Sequence, residues 1–473
     1  MSRRNESIIN VPLPASPGQR EARVAPSVSN PSTSNPALHR LYNPAALQTK
    51  SPAYSQFSSK ELEVTYVIEI GARWTRYGLA NSYYPREIVS SFYPHPKDQK
   101  LCHVLDHTLS ETDHSILLNA FLTKYCTMRL SNAAMDKRIV IVEGLFVHEK
   151  ARKRLAKCFF ERQSVKASAI VYAPAPLMHI VPFGTDTAIV VDIGYNYVAV
   201  TPVWDNVIFF SACTYNLFGS KHLLERIRDH YKTKGLIRTF DGTIRPFNDE
   251  DMKRFDEWNT AEDLLSRFFF VTRSDRAKSY QKATTDGDEE ITYCPDVESY
   301  FYTEKLIVPG SLREFTAELL FDGVDYSDVY SIPELIYKAV ALSPVDIRRS
   351  LLSNIIVTGG AACLRGIHGR IDVELKYLIM TGNGGLSMKL MENVGFLKVP
   401  GGEQIERYSA WLGGCLCGGI IETRPRYYSL KHWEEGVPLP DWTTQIDNYR
   451  IPVCPDKVVT ENVTKQLVGL RVV

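Results

Sequence analysis

The sequence predicts an α/β fold built as two lobes around a central cleft, and three observations carry that expectation. An apolar strand that ends on an acid and a glycine, with a second strand leaving at once, occurs at residues 64–80 and again at residues 188–203. Segments of helical periodicity lie between and after these strands. At 473 residues the chain is too long for one ordinary core, so two to three domains or one large two-lobed unit are expected.

Taken in order, residues 1–60 are dominated by Ser, Pro, Asn, Ala and Arg, with too few large apolar side chains to offset the entropy of ordering, and they read as a disordered tail. The Arg3-Arg4 pair is read as part of a solvated terminus. The run Val64-Thr65-Tyr66-Val67-Ile68 is β-branched and aromatic, ends at Gly71, and precedes the alternating stretch Trp74-Thr75-Arg76-Tyr77-Gly78-Leu79-Ala80. The later hairpin runs Ala188-Ile189-Val190-Val191-Asp192, Gly194, then Tyr197 to Val203. The offset from Glu69 to Asp192 is 123 positions, a weak internal repeat that suggests two halves, each bringing one acidic hairpin to a shared cleft.

Helices follow from spacing. Residues 150–160 put Ala151, Leu155, Cys158 and Phe159 on one stripe. Ser331-Ile332-Pro333-Glu334 reads as a capping box before Ile332, Leu335, Ile336, Ala339 and Val340. Asp346 is expected to cap a third helix through Ser353, which leads into the strand Asn354-Ile355-Ile356-Val357-Thr358 and the turn Gly359-Gly360. That strand-to-glycine turn suits close approach of backbone to a ligand. Residues 241–300 are more polar and are expected to hold insertions or peripheral helices.

Composition narrows the class. Lys+Arg (55) nearly balance Asp+Glu (54) and 44% of residues are hydrophobic, which argues against both wholesale disorder and a general polyanion-binding surface, so no nucleic-acid partner is expected. The nine cysteines are scattered without zinc spacing and read as reduced thiols, with Cys415 and Cys417 inside a small apolar run expected to pack in the core. No apolar run approaches the roughly 20 residues that span a bilayer, and no signal-peptide stretch is seen, so no membrane insertion and a soluble, intracellular protein are expected.

The ordered segments together resemble the actin superfamily, the superfold shared by actin, hexokinase and the Hsp70 chaperones, from about residue 64 to about residue 433. The first phosphate loop would be Glu69-Ile70-Gly71-Ala72-Arg73-Trp74-Thr75-Arg76-Tyr77-Gly78, and the second would run from Asp192 to Ala199. The first connecting segment would span residues 139–161 and the adenosine turn residues 359–366. The closing helix would be Glu406-Arg407-Tyr408-Ser409-Ala410-Trp411-Leu412-Gly413-Gly414. Singly these signals are weak; their order, spacing and the Tyr-Ser-x-Trp-x-Gly-Gly run are specific. The resemblance implies a tail at 1–60, a first lobe at 61–187 with a reduced second subdomain, a second lobe at 188–400, and a C-terminal segment, 401–473, returning to the first lobe.

It also implies a site. In the family, acids at the two hairpin tips hold hydrated magnesium, and small residues let backbone N–H groups wrap the phosphates. Glu69 and Asp192 would therefore hold Mg through water, and ATP or ADP would be contacted by Glu69, Gly71, Arg73, Arg76, Asp192, Gly194, Gly359 and Gly360. The loops depart from the family pattern, however. Arg73 replaces the second glycine, Ala72 a hydroxyl residue, and Tyr195 and Asn196 an acid and a glycine. Lys157 stands at the family's water-positioning Gln, and Ala199 at its His. Hydrolysis is expected to be very slow or absent, with no catalytic residues and the nucleotide serving as a structural ligand between the halves.

Within the family, only 52 residues separate Ser90 from Glu143, fewer than actin uses there to build its second subdomain and its extended contact loop. This shortening, the weakened site and the wording of residues 136–203 and Pro438-Leu439-Pro440-Asp441-Trp442 resemble the actin-related subunit at the pointed end of dynactin. The implied function is architectural: a cytoplasmic, cytoskeletal cap on the dynactin actin-like filament that docks other pointed-end subunits and acts indirectly with dynein and cargo adaptors in microtubule-based transport. The alternative is a nuclear actin-related subunit of a chromatin-remodelling complex. A sugar kinase or chaperone ATPase would need an additional substrate-binding acid or a peptide-binding domain, and neither is seen.

Overall fold

The computed structural model describes residues 63–80, 82–127, 136–161, 166–286, 292–321, 330–382, 386–398, 406–419 and 427–442; the tail expected at 1–60 lies outside them. The first β-branched run forms β1 (Glu63–Ile70), which turns directly into β2 (Trp74–Leu79) with Ile70 opposite Thr75 and Glu69 opposite Arg76. β3 (Glu87–Ser90) pairs with β2, and β4 (Phe92–Pro94) with β5 (Leu101–His103) makes a separate two-stranded ribbon. β6 (Asp136–Glu143) and β7 (Ala169–Pro174) run parallel to β1. Parallel strands are covered on both faces, and here Ile68, Ile139 and Ile141 face the helix Glu149–Glu161 while Val67, Val140 and Val142 face Trp411.

The second lobe repeats the opening. β8 (Ala188–Ile193) turns into β9 (Val198–Trp204), flanked by the short β10 (Val207–Ile208) and β11 (Thr214–Asn216). β12 (Leu236–Arg238), β13 (Ile244–Pro246), β14 (Val297–Phe301) and β15 (Glu304–Val308) form an outlying four-stranded sheet in the order β13-β12-β15-β14. The polar stretch also carries the helices Asp249–Glu257, Thr260–Phe268 and Ser274–Asp286. β16 (Ile355–Thr358) then joins β8 in parallel, with Thr358 opposite Asp192. Finally β17 (Tyr428–Ser429) returns to the edge of the first sheet beside β7. The result is a two-lobed actin-like α/β fold, both lobes lying in one compact unit.

Two helices sit between the sheets. Ala175–Ile180 gives Met178 to the first lobe's inner core and Ile180 to the second lobe's. Ser409–Gly418 packs against it so closely that a Cβ on Gly413 would lie 1.9 Å from the Met178 carbonyl oxygen. That approach explains the small residues in the run, and Cys415 is fully buried there with Cys417 packed against it. The capping box is present: the Ser331 hydroxyl accepts from the Glu334 N–H, and the Glu334 carboxylate accepts from the Ser331 N–H at 2.8 Å. The cap expected at Asp346 is absent. Val345–Ile347 forms a 3-10 turn after the extended Pro344, so Ile347 and not Asp346 precedes the helix Arg348–Ser353.

Candidate functional site

The two hairpin turns are built alike. The Gly71 N–H donates to the Trp74 carbonyl at 3.1 Å, and the Gly194 N–H donates to the Tyr197 carbonyl at 2.9 Å. Each turn leaves an acid just behind it on the incoming strand. Glu69 Oε1 accepts from Arg76 Nη1 at 2.7 Å, whereas Glu69 Oε2 is buried with no hydrogen-bond partner. Burial pushes the Glu69 carboxyl up against the pull of Arg76. Asp192 is pushed up to about 7 by burial, reinforced by the charge of Glu69 and opposed by Arg76. Two acids and one arginine therefore share a poorly solvated space.

β16 carries the adenosine turn to the same place. Gly359 has φ +97°, and a Cβ there would lie 2.3 Å from the Ile193 carbonyl oxygen and 2.8 Å from Asp192 Oδ1. Only glycine fits against the acid in that conformation. Gly360 is less confined, its nearest neighbour to an added Cβ being Ser220 Oγ at 4.0 Å. The helix Ser220–Lys234 meets the second turn, with its Ser220 and Lys221 N–H groups donating to the carbonyls of Gly194 and Tyr195 at 2.9 Å each.

Beneath the acids lies a buried polar floor to which the sequence pointed with no motif. His179 Nδ1 is 2.7 Å from Ser409 Oγ, the Thr358 and Ser409 hydroxyls are 2.9 Å apart, and Thr358 donates to the Glu406 carbonyl at 2.7 Å. Burial, aided by the charge of Arg76, pushes His179 down to about 3, so the ring is neutral. These residues come from three elements separated by up to 230 positions, a juxtaposition created by packing and not by local pattern.

The two positions expected to correspond to the family's water-handling Gln and His lie apart. Lys157 is half exposed and pairs with Glu111 at 3.5 Å; Ala199 is buried on β9 opposite Asp192. Arg73 is drawn towards the second lobe. Its Nε and Nη2 each lie 3.3 Å from Glu262 Oε2, Nη2 also meets Asn259 Oδ1, and the guanidinium is 5.8 Å from the Tyr195 ring.

The residues present fit a cation with a phosphate ligand. Glu69 Oε2 is an orphaned buried oxygen and Asp192 lies within reach of its charge, yet among the described residues no cluster of three His, Cys, Asp or Glu could bind a metal unaided. A cation here would complete its shell from water and a bound phosphate.

A family model described as Actin matches residues 61–437. Actin-related protein 4 of Yarrowia lipolytica is 20% identical over 437 residues, covering 82% of this chain and 97% of that protein. Actin-related protein 4 of Schizosaccharomyces pombe is 23% identical over 423 residues, covering 78% and 94%. Actin-related protein 3 of Oryza sativa subsp. indica is 23% identical over 258 residues, covering 53% and 56%. These relatives overturn the expected dynactin assignment, and with it the pointed-end cap, the partnership with filament subunits, dynein and cargo adaptors, and the cytoplasmic, cytoskeletal location. The physical reason is that the expectation leaned on the shortness of residues 90–143, a span that holds β4, β5, β6 and the helix Glu111–Leu122 with Leu117, Leu118, Phe121 and Leu122 fully buried, so its length reflects how this lobe folds and does not identify a partner. No helix among the described residues is long and apolar enough to cross a membrane. What the paired hairpins, the glycine turn and the matched span establish together is that this chain belongs to the actin family.

Proposed function

We propose that the chain is a non-catalytic, architectural actin-related subunit of a nuclear chromatin-remodelling complex, with a nucleotide in its cleft acting as a brace between the lobes. The observation that carries the reading is the alignment over nearly the whole length of two proteins named actin-related protein 4. The site supports the architectural half: it retains Glu69 and Asp192 and has Lys157 and Ala199 where water activation would be needed.

In this reading Glu69 and Asp192 hold hydrated magnesium, whose positive charge neutralises the phosphates of ATP or ADP. Arg76 balances the two acids and lies next to the phosphates. Gly71 and Gly194 keep their turns open to close backbone approach, and Gly359 and Gly360 do the same on the nucleoside side. Arg73 faces the phosphates only when it leaves Glu262. The working parts would be a first lobe over 61–187, a second over 188–400 and a returning segment from 401; the packing of Ser409–Gly418 on β1 and β6 supports the last of these.

Affinity purification of the tagged chain from separated nuclear and cytosolic extracts tests the assignment. Recovery from the nuclear fraction with subunits of a chromatin remodeller is expected. Recovery from cytosol without them would overturn it.

A further inference from the structure

The contacts of Arg73 form part of a larger arrangement that joins the lobes beside the acidic hairpins. Arg73 lies in the β1–β2 turn of the first lobe and Trp74 opens β2. Asn259 and Glu262 belong to the start of the helix Thr260–Phe268, whose Leu264 and Leu265 are anchored in the second lobe's core. Both oxygens of Glu262 are used: Oε2 faces the Arg73 guanidinium at 3.3 Å, and Oε1 accepts from Trp74 Nε1 at 2.6 Å. The guanidinium also lies 5.1 Å from the Trp74 ring and 5.8 Å from the Tyr195 ring, so it sits between one aromatic from each lobe's hairpin.

Several features hold the partners in place. Asn259 takes the left-handed conformation (φ +50°) that Asn tolerates, and its carbonyl accepts from the Glu262 N–H at 3.0 Å, which starts the helix. A carboxylate in the first turn is favoured by the helix dipole. On the other side, the His103 ring nitrogen lies 3.2 Å from the Gly71 carbonyl oxygen and steadies the turn that carries Arg73. An isolated exposed ion pair contributes little, but here the Arg73 and Glu262 side chains are only 19% and 34% exposed and share further hydrogen-bonding and ring partners.

We infer that Arg73, Trp74, Asn259 and Glu262 form a clasp that holds the two lobes together at the hairpin tips through protein contacts alone. The hairpin tips then stay joined even with no nucleotide bound, a nucleotide in the cleft adding its brace to that of the clasp, and anything entering or leaving the cleft on this side waits for the clasp to open. The arginine at a position where the family has glycine thus gains a role that a phosphate contact would not supply.

Hydrogen–deuterium exchange of the full chain, stripped of nucleotide with a chelator and apyrase, tests this. Glu262→Gln keeps the side-chain shape and removes its charge; Arg73→Ala removes the other partner. Each is expected to speed exchange at residues 70–76 and 259–265 by about tenfold, with β16 unchanged as a control for folding. The double variant should exchange no more than about twofold faster than either single, because both break one clasp. Wild-type exchange rates in Glu262→Gln, or strictly additive effects in the double variant, would overturn the inference. Because no nucleotide is present, the result stands whether or not the cleft binds one, so failure of the clasp and failure of the nucleotide reading are told apart.

Discussion

Asp192 shows how a residue can announce a site and still leave its chemistry open. A strand ending on an acid before a glycine is readable locally, which is why both hairpins and the Gly359 turn were legible. What burial does to the acid is not local. Asp192 is raised from the ordinary carboxylate value of about 4 to about 7, and Glu69 is raised too. Between those values the folded protein holds a proton that the unfolded chain has released, so stability falls as pH rises from about 4 to about 7, by on the order of 1 kcal/mol per pH unit for a fully shifted group. Chemical denaturation of the nucleotide-free protein at pH 5 and pH 7.5 should show that loss. Asp192→Asn should flatten the profile, and an equally steep slope in that variant would assign the effect elsewhere.

Among elements, the returning C-terminal segment carries the clearest energetic consequence. Glu143 and Arg152 form a buried pair at 2.7 Å, with Arg152 stacked 4.0 Å from the Tyr172 ring. The proline-rich segment closes it: Arg152 Nη2 donates to the Pro440 carbonyl and Trp442 Nε1 donates to Glu143 Oε2, each at 2.5 Å. Trp442→Phe keeps an aromatic side chain but removes the indole N–H and leaves a buried carboxylate oxygen unpaired, so a loss of about 1–3 kcal/mol in urea denaturation is expected. A loss below about 0.5 kcal/mol would mean that water replaces the indole. The helices Glu149–Glu161 and Ile332–Leu342 were legible from periodicity and capping, because those signals act within a turn or two. The missed start at Asp346 shows the limit, since an acid before an apolar run does not reveal that a 3-10 turn follows Pro344. Contacts such as Trp442 to Glu143, 299 positions apart, leave no such local trace.

For the whole molecule, the two-lobed architecture was suggested by a weak repeat of 123 positions and carried by the order and spacing of the motifs, whereas the identity of the partners did not follow from the length of residues 90–143. Cores constrain a fold tightly and surface connections do so weakly, so the family was readable and the choice among its members was not. The cleft joins the lobes at three levels: the helices Ala175–Ile180 and Ser409–Gly418 between the sheets, the His179–Ser409–Thr358 floor, and the Arg73–Glu262 contact at the tips. The central claim is that this cleft braces the lobes with a nucleotide it does not consume. Following the fate of γ-labelled Mg-ATP held by the purified full chain tests it most directly. The nucleotide should remain bound and uncleaved, and should be lost in Asp192→Ala. Steady release of labelled phosphate at the rate of filament-forming actins, abolished by Asp192→Ala, would contradict it.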